Sequence, residues 1–333
     1  MIINENSLMR NLIENFASQL KESLDIAEKV TLKNNNSFTN IVISGLGGSG
    51  IGGEIAKSWS NYYGTKPIYV NHNYELPHFV DNQTLVILCS YSGNTEETLN
   101  AFLEARKKDA KIIGITSGGK LVDFLREQAN DLIIVPGGLP PRAALAYPLV
   151  QVISVLVQLG AMNQEVLTRI KLFANQLPSY QKELMNQAKE LVTASKGKTI
   201  LLYGEEKLDC VLRRACQQIN ENGKELSFYN VIPEMNHNEI VGWSRKYDYF
   251  YTLIFRTPIE YDRNKKRLDI TTRIISEKTD QLKVINASGE DLITITLNLI
   301  HLLDWLSYYI AEEKKIDVIE VEAIEGLKKE LVL

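Results

Sequence analysis

The sequence IVISGLGGSGIGG, residues 41–53, decides the fold class. A short run of β-branched apolar residues ends there in a glycine-rich turn, and an amphipathic segment of helical period follows, about Ile51–Tyr63. Glycines at such a turn permit positive φ and let backbone N–H groups approach an anion closely. The following helix directs the positive end of its dipole to the same point. The stretch therefore predicts a strand–turn–helix unit that can hold a phosphate or a dinucleotide.

Apolar strand-like runs and helical segments alternate along the rest of the chain. The strands predicted in the first half are Ile41–Leu46, Pro67–Val70, Leu85–Cys89, Lys111–Thr116 and Leu132–Val135. The pattern restarts with a strand at Ile200–Tyr203 and a helix at Asp209–Ile219, and it runs to a long helix near the C-terminus. Strands that alternate with helices of this length indicate crossover units and a parallel sheet, and continuously apolar strands fit a sheet covered on both faces.

The fold class predicted is therefore α/β, with two tandem doubly wound parallel-sheet domains. We expect residues 1–160 to form an N-terminal domain with an N-terminal helix, 161–195 a helical connector, and 196–333 a C-terminal domain with a C-terminal helix.

Composition narrows the class of protein. The net charge of −4 argues against broad nucleic-acid binding, which needs a basic surface. Three cysteines without paired spacing favour a reducing, cytoplasmic location, and the N-terminal residues lack the apolar core of a signal sequence. The apolar stretch Leu292–Ile310 approaches a membrane thickness, but it contains Asn298, His301 and Asp304 and is predicted to be a buried core helix. No membrane partner is expected.

The glycine-rich turn admits more than one reading. Gly45, Gly47 and Gly50 satisfy G-x-G-x-x-G, which is a weak indication of a nicotinamide cofactor and so of a dehydrogenase. The dinucleotide fingerprint also requires an acidic residue about 20 positions on, and the second strand instead ends at Asn71-His72-Asn73. A purely structural tight turn is a further alternative.

A hydroxyl cluster follows the third predicted strand, in the sequence Ser90-Tyr91-Ser92-Gly93-Asn94-Thr95-Glu96-Glu97-Thr98. Asn94 and Glu97 are predicted to form a capping box for the next helix. Capping does not account for Ser90 and Ser92, which lie on the turn itself. In an open parallel sheet, ligands bind beyond the carboxyl ends of the strands, where the glycine turn and these hydroxyls would meet. The pair of turns predicts a phosphate site.

Together these segments resemble the sugar isomerase domain family, whose phosphosugar loop reads Ser-x-Ser-Gly-Asn-Thr. The whole chain is similar to the bifunctional phosphoglucose/phosphomannose isomerases, which have two such flavodoxin-like domains. The resemblance rests on segments spread through the chain in the family's order: 45–50, 90–97, Pro141-Arg142-Ala143-Ala144-Leu145, Asn220-Glu221-Asn222, Glu234-Met235-Asn236-His237-Asn238-Glu239 and Ile324-Glu325-Gly326-Leu327-Lys328.

The resemblance implies an aldose–ketose isomerase that interconverts glucose 6-phosphate and fructose 6-phosphate through an enediolate. The substrate-binding residues that it implies are Gly48, Ser49, Ser90, Ser92, Thr95 and Arg142. The catalytic residues that it implies are Glu221 as the base, Arg142 near the reacting carbons, and His237 and Lys328 as ring-opening and proton-shuttling groups. It also implies a homodimer with a shared active site, into which the histidine reaches from the partner subunit.

The chemistry of these residue types fits such a reaction. A carboxylate is ionised at neutral pH and can accept the proton, and arginine offers a permanent charge to the enediolate oxygen. Histidine can open the sugar ring because it gives and takes a proton near neutrality. No metal and no redox cofactor are expected, and the four histidines form no metal-ligand motif.

Three alternatives stay open at this point. Lys328 borders the apolar face formed by Ile324, Leu327 and Leu331, but the neighbouring Lys329 could be the catalytic lysine instead. Family members that handle the mannose epimer well carry a threonine shortly before the lysine, and here no threonine follows Thr296, so mannose 6-phosphate stays open as a substrate. A non-catalytic sugar-phosphate sensor would use the same serine loop without needing Glu221.

Overall fold

A computed structural model describes residues 2–33 and 37–331, with residues 2–5 described by their backbone alone. The chain divides into an N-terminal unit of residues 15–178 and a C-terminal unit that combines residues 1–14 with 179–333. The first helix, predicted to belong to the N-terminal domain, is part of the C-terminal unit. There the amide of Asn6 donates to Ile316 O at 3.1 Å and its oxygen accepts from Val318 N at 3.0 Å.

The predicted connector also differs from the observed division. Residues 165–195 form one helix, and the boundary between the units falls inside it, at Pro178. The structure therefore has two compact units where three segments were predicted, and the predicted connector is divided between them.

The N-terminal unit is built around one parallel sheet of five strands in the order β2-β1-β3-β4-β5. Its elements are α2 (Phe16–Lys29), β1 (Asn40–Ser44), α3 (Gly47–Tyr63), β2 (Ile68–Asn71), β3 (Thr84–Cys89), α4 (Glu96–Lys107), β4 (Lys111–Thr116), α5 (Lys120–Glu127), β5 (Asp131–Ile134), α6 (Ala146–Gln158) and the first part of α7 (Glu165–Ser195). In the middle of the sheet, Ile41 of β1 pairs with Ile68 on one side and with Leu85 on the other.

The strand order fixes where a ligand can bind in this unit. β1 is followed in the chain by its neighbour β2, but its other neighbour is β3, so the strand order reverses between β1 and β3. All six residues of β3 are buried, and Val86 and Leu88 pack with Phe102 of α4 in one core cluster. The turns that follow β1 and β3 therefore lie at the crevice that such a reversal creates.

The C-terminal unit has a parallel sheet of four strands in the order β7-β6-β8-β9. Its elements are α1 (Ile2–Glu14), the second part of α7, β6 (Thr199–Glu205), α8 (Asp209–Gly223), β7 (Ser227–Ile232), β8 (Phe250–Arg256), α9 (Asp262–Ser276), β9 (Leu282–Asn286), α10 (Leu292–Lys314) and α11 (Glu322–Leu331). The two parallel sheets confirm the predicted fold class.

Helix α10 is the core helix of the C-terminal unit, as predicted. Its residues from Leu292 to Ala311 are buried almost without exception. Among the described residues, no helix combines the length and the apolar character that crossing a bilayer requires. Some polar groups of α10 are bonded within the unit: Trp305 Nε1 donates to His301 Nε2 at 3.0 Å, and Asp304 accepts from Arg214.

Candidate functional site

The glycine turn after β1 and the serine loop after β3 are joined by a buried hydrogen bond. Tyr91 N donates to Ser49 Oγ at 3.0 Å, and Ser49 is only 7% exposed. Gly45 approaches the same loop so closely that a Cβ there would lie 2.7 Å from Cys89 O. The two turns, 42 residues apart in the chain, therefore form one continuous rim at the strand reversal.

The hydroxyls of the serine loop divide into structural and accessible groups. Ser90, buried, donates from its Oγ to Thr95 Oγ1 at 2.8 Å and accepts from Gly93 N at 3.1 Å. Ser92 is exposed and Thr95 half-buried. Ser90 thus shapes the loop and orients Thr95, whereas Ser92 and Thr95 present oxygens that an incoming anion can reach.

The predicted capping box is wrong. The N-cap of α4 is Thr95, which makes no side-chain cap bond. Asn94 instead accepts from Lys120 N at 3.0 Å, at the start of α5. The reason lies in two glycines: Gly93 and Gly119 both have positive φ, and a Cβ on Gly119 would lie 2.3 Å from Ser92 O. This close approach of the two loops points Asn94 at the neighbouring helix.

Gly48 and Arg142 are brought together by backbone packing. A Cβ on Gly48 would lie 2.7 Å from both the carbonyl carbon and oxygen of Pro141 and 3.0 Å from Arg142 N. Arg142 lies in a short 3-10 helix, Pro141–Ala143, and is 5% exposed. The glycine turn and the arginine therefore share one wall, and only a residue without a side chain fits between them.

Tyr91 is a site residue that the sequence did not reveal. Its hydroxyl donates to Pro136 O at 2.7 Å and accepts from Leu139 N at 3.2 Å, while its carbonyl accepts from Ser117 Oγ at 2.6 Å. Burial raises the pKa of this phenol, which keeps it a donor. Tyr91 thereby ties the serine loop to the segment that leads into Arg142. Its position between two serines was the available signal.

His72 braces the glycine turn from the other side. Its Nδ1 lies 2.9 Å from Gly45 O and its Nε2 lies 2.8 Å from Glu54 Oε1. Both neighbours are acceptors, so a ring protonated on both nitrogens satisfies both contacts. The imidazole occupies the space beside Gly50, where a Cβ would lie 3.0 Å from its Cε1. In the sequence, His72 stands out only within Asn71-His72-Asn73, where a dinucleotide site would carry an acid, and as one of four histidines without a metal-ligand motif.

Glu221 lies in the last turn of α8, two residues beyond the predicted end of that helix at Ile219, and it is half-buried. A polar stripe at helical spacing fixes the rotation of α8 against α10. Arg214 donates to Asp304 Oδ2 at 2.7 Å, Gln218 Nε2 donates to Asp304 Oδ1 at 3.0 Å, and Asn222 Nδ2 donates to Ser307 Oγ at 3.0 Å.

This stripe matters for Glu221 because Asn222, its neighbour, is fully buried against α10. Gly223 then approaches α10 so closely that a Cβ would lie 2.9 Å from Ile310 Cγ2. With the adjacent positions held this way, the carboxylate of Glu221 projects from a fixed helix end. Burial raises the pKa of Asp304, and the Arg214 guanidinium opposes that shift.

His237 lies at the end of a short 3-10 helix, Glu234–His237, and is exposed. The loop around it is braced on two sides. Asn236 Nδ2 donates to Thr271 Oγ1 of α9 at 2.8 Å, and the carboxylate of Glu239 accepts from Asn230 at 2.7 Å and from the Tyr203 hydroxyl. The loop therefore holds an exposed imidazole on a constrained backbone.

Lys328 and Lys329 both lie on α11, and both are exposed. The apolar face that Lys328 borders is itself largely exposed, with Ile324 at 40% and Leu327 at 61%. The predicted apolar stripe exists, but within the described part of the chain it does not pack into a core. The choice between the two lysines stays a prediction.

The second sheet has no glycine turn at its corresponding strand end. Glu205 ends β6 and is 2% exposed. Its Oε1 accepts from Tyr261 N at 3.1 Å and from Asn264 Nδ2 at 2.8 Å, and Lys207 lies 3.5 Å from its Oε2. A buried carboxylate, held by its own unit, thus takes the place that the glycine turn occupies at the end of β1.

Both units of the chain match known protein families. Residues 36–134 match the SIS domain family, and residues 184–331 match the family described as the bacterial phospho-glucose isomerase C-terminal SIS domain. A bifunctional phosphoglucose/phosphomannose isomerase of Caldicellulosiruptor bescii is 34% identical over 330 residues, which cover 96% of this chain and 97% of that protein. The chain belongs to the bifunctional phosphoglucose/phosphomannose isomerase family.

Other members and solved structures agree with this assignment. A bifunctional phosphoglucose/phosphomannose isomerase of Thermoplasma acidophilum is 36% identical, with 97% of this chain and 100% of that protein covered. The C-terminal domain of glucosamine-fructose-6-phosphate aminotransferase from Francisella tularensis superimposes with a TM-score of 0.72 at 14% identity, covering 93% of this chain and 97% of that one. At that identity the structural likeness shows the fold alone.

Membership of the phosphoglucose/phosphomannose isomerase family confirms the resemblance. The dehydrogenase reading is set aside in favour of an isomerase. The segment after β2 is also self-bonded, since Asn71 Nδ2 donates to Asn73 O at 2.8 Å. Across residues 2–33 and 37–331, no three His, Cys, Asp or Glu side chains are grouped so as to hold a metal ion.

Proposed function

We propose that this chain interconverts glucose 6-phosphate and fructose 6-phosphate, with the phosphate held at the strand reversal of the N-terminal unit. The observation that supports this most directly is the Tyr91–Ser49 hydrogen bond, which joins the glycine turn and the serine loop into one rim. The curated relatives named as phosphoglucose/phosphomannose isomerases match this chain over nearly its whole length.

The proposed phosphate ligands are the hydroxyls of Ser92 and Thr95 with the backbone N–H group of Gly48. Helices α3 and α4 both begin at this rim, and the first N–H groups of a helix have no acceptor four residues back. In α3 the Ser49 N–H already donates to Leu46 O at 3.0 Å, so the backbone donor proposed here is that of Gly48. Hydrogen bonds from such groups to an ionised oxygen are stronger than bonds between neutral partners. Ser90 and the side chain of Ser49 act by holding the rim in shape.

The proposed reaction moves a proton between adjacent carbons. Glu221 removes the proton from C2 of the open aldose, the carbonyl at C1 becomes an enediolate oxygen, and the same carboxyl returns the proton to C1 as the C2 hydroxyl becomes the ketone. Arg142 stabilises the enediolate charge. The substrate's overall oxidation state does not change, so the reaction calls for no external oxidant or reductant.

His237 and Lys328 are proposed to open the sugar ring and shuttle protons between its oxygens, with Lys329 as the alternative to Lys328. We also propose a homodimer that supplies the histidine from the partner subunit. The exposure of His237 on a braced loop supports this, because a side chain held away from its own core is available to another chain.

Glucose 6-phosphate is the proposed main aldose. The relatives' names include phosphomannose activity, whereas no threonine follows Thr296 in this chain. We therefore expect turnover of mannose 6-phosphate to be slower than that of glucose 6-phosphate. A cytoplasmic location is proposed because all three cysteines are buried thiols, as suits a reducing compartment.

The deciding experiment is a coupled assay of fructose 6-phosphate formation with Glu221→Gln and a matched Glu225→Gln variant. Loss of a general base is expected to lower kcat by roughly 10²- to 10⁴-fold. Because glutamine has nearly the size and shape of glutamate, the Kd for fructose 6-phosphate, measured by calorimetry, should stay within about twofold of wild type. Glu225, exposed and paired with Lys314, should tolerate the same change. Full activity of Glu221→Gln would remove the proposed base, and a wild-type protein that binds but never turns over sugar phosphate would be a sensor.

A further inference from the structure

The turn that follows Glu221 carries a lysine with an unusual pair of contacts. Lys224 ends α8 in the left-handed conformation, with φ of 50°. Its Nζ donates to Glu221 O at 2.6 Å and to Glu320 O at 2.6 Å. Glu320 lies two residues before α11, the helix of Lys328. One ammonium group therefore bonds both the residue proposed as the base and the root of the helix that carries the proposed lysine.

The segment between α10 and α11 is fastened at a few points, and Lys224 supplies the one next to α11. Further back, Asn6 holds Ile316 and Val318, and Val318 is fully buried. Asp317 then accepts from Ile319 N at 2.7 Å and from Glu320 N at 3.2 Å, which folds the segment into a turn. Beyond it, α11 has no buried residue in its described part, so its placement depends on how its root is held.

We propose that Lys224 is a positioning residue of the isomerase, which sets the end of α8 and the root of α11 in one arrangement so that Glu221 and Lys328 act on the same substrate. The inference depends on the proposed function, since it gives Lys224 a role only if those two residues take part in catalysis. Lys224 itself touches no reacting atom in this role; it acts through the backbone of Glu221 and Glu320.

A second lysine offers a matched control. Lys314 Nζ donates to Gly223 O at 3.0 Å, to Lys224 O at 3.3 Å and to Glu225 Oε1 at 2.8 Å. Lys224 and Lys314 both have side chains that are 29% exposed, and both satisfy carbonyls at the end of α8. Among the described residues, the bonds of the Lys314 ammonium go to residues 223–225, and none reaches the root of α11. If both lysines only cap the end of α8, their loss should have the same effect on activity. If Lys224 also positions α11, only its loss should lower activity.

The test measures kcat, KM and melting temperature for Lys224→Gln and Lys314→Gln. We expect similar drops in melting temperature, but a fall in kcat of roughly tenfold only for Lys224→Gln, with KM within about twofold, as for a misplaced catalytic group. Lys224→Arg should recover part of the loss. Lys224→Gly is the control for misfolding. Glycine suits the left-handed position, so this variant should keep the fold stable while it removes the ammonium group.

A double-mutant comparison with Lys328→Ala separates this inference from the proposed function. In the Lys328→Ala background, adding Lys224→Gln should lower kcat by less than about a further twofold, as expected when one residue acts through another. Equal kcat losses for Lys224→Gln and Lys314→Gln, or an undiminished tenfold loss in the Lys328→Ala background, would overturn the positioning role alone. Full activity of Glu221→Gln or of Lys328→Ala would overturn the proposed catalytic assignments, and the positioning role with them.

Discussion

The backbone N–H of Tyr91 donates to Ser49 Oγ at 3.0 Å, a bond between two loops that follow different strands. Ser49→Ala would leave a buried N–H without that acceptor, at a cost of about 1–3 kcal/mol in the free energy of unfolding. Ser92 is exposed, so Ser92→Ala should leave that free energy nearly unchanged and raise KM for sugar phosphate. Urea denaturation and steady-state kinetics of the two variants check this contrast. Equal stability of both variants would show that the rim does not depend on Ser49.

Gly48 has no room for a side chain between α3 and Pro141. Gly48→Ala would place a Cβ 2.7 Å from backbone atoms that cannot rotate away, so the 3-10 helix carrying Arg142 must shift. A displacement of that kind is expected to lower kcat/KM by roughly 10²-fold. Gly118, where a Cβ meets nothing within 4 Å, provides the control, and Gly118→Ala should keep near-normal kcat/KM. Wild-type kinetics for Gly48→Ala would show that the close contact between Gly48 and Pro141 is not needed for catalysis.

The loop of His237 depends on a buried phenol in β6. Burial raises the pKa of Tyr203 well above its usual range, and the hydroxyl stays protonated to donate to Glu239. Tyr203→Phe removes this donor and is expected to cost about 1 kcal/mol in the free energy of unfolding and to lower kcat several-fold. Tyr251→Phe, a change of the same size at a buried position in β8, serves as the comparison. If both variants lose kcat equally, the brace on Glu239 has no special role.

Stability should fall in mild acid because of His301. Burial lowers the pKa of this imidazole to about 3, and its Nε2 accepts from Trp305, which requires the neutral ring. In the unfolded chain the pKa returns to about 6.5. The unfolded state therefore binds the extra proton between these values, and the free energy of unfolding should drop by roughly 2 kcal/mol from pH 7 to pH 5 through this group alone.

This pH dependence can be isolated by comparing variants. His301→Gln should flatten the pH dependence by about that amount, and His78→Gln, at an exposed histidine, should leave it as in wild type. The raised pKa of the nearby Asp304 acts in the opposite direction but is common to all three proteins. Unfolding by guanidinium at a series of pH values gives the slopes. Parallel curves for wild type and His301→Gln would contradict the buried neutral state.

The strands were predictable because their signal is local. The predicted strands Lys111–Thr116 and Leu85–Cys89 coincide with β4 and β3 within one residue, since continuous apolar runs bounded by turns leave few alternatives. The end of α8 was not predictable in this way. The helix was predicted to end at Ile219, before the sequence Asn-Glu-Asn-Gly. Its extension to Gly223 goes with contacts to a distant helix, such as the bond from Asn222 to Ser307, 85 residues on.

The site divides along the same line. The glycine turn and the serine loop could be predicted because their residue types are typical of an anion site. Tyr91, His72 and Lys224 were not, because each acts through a partner distant in the chain, as Lys224 does with Glu320. The capping box at Asn94 failed for a related reason: the local pattern was present, but the start of α5 competed for the side chain.

The buried carboxylate of Glu205 has a consequence for how many substrate molecules one chain can carry. A phosphate dianion brought to the end of β6 would meet a carboxylate that already engages Tyr261 N, Asn264 Nδ2 and the Lys207 ammonium, so those donors are taken by another acceptor. Two sheets of similar topology therefore do not make two equivalent sites. Titration of the protein with fructose 6-phosphate should reach saturation at a stoichiometry of one ester per polypeptide.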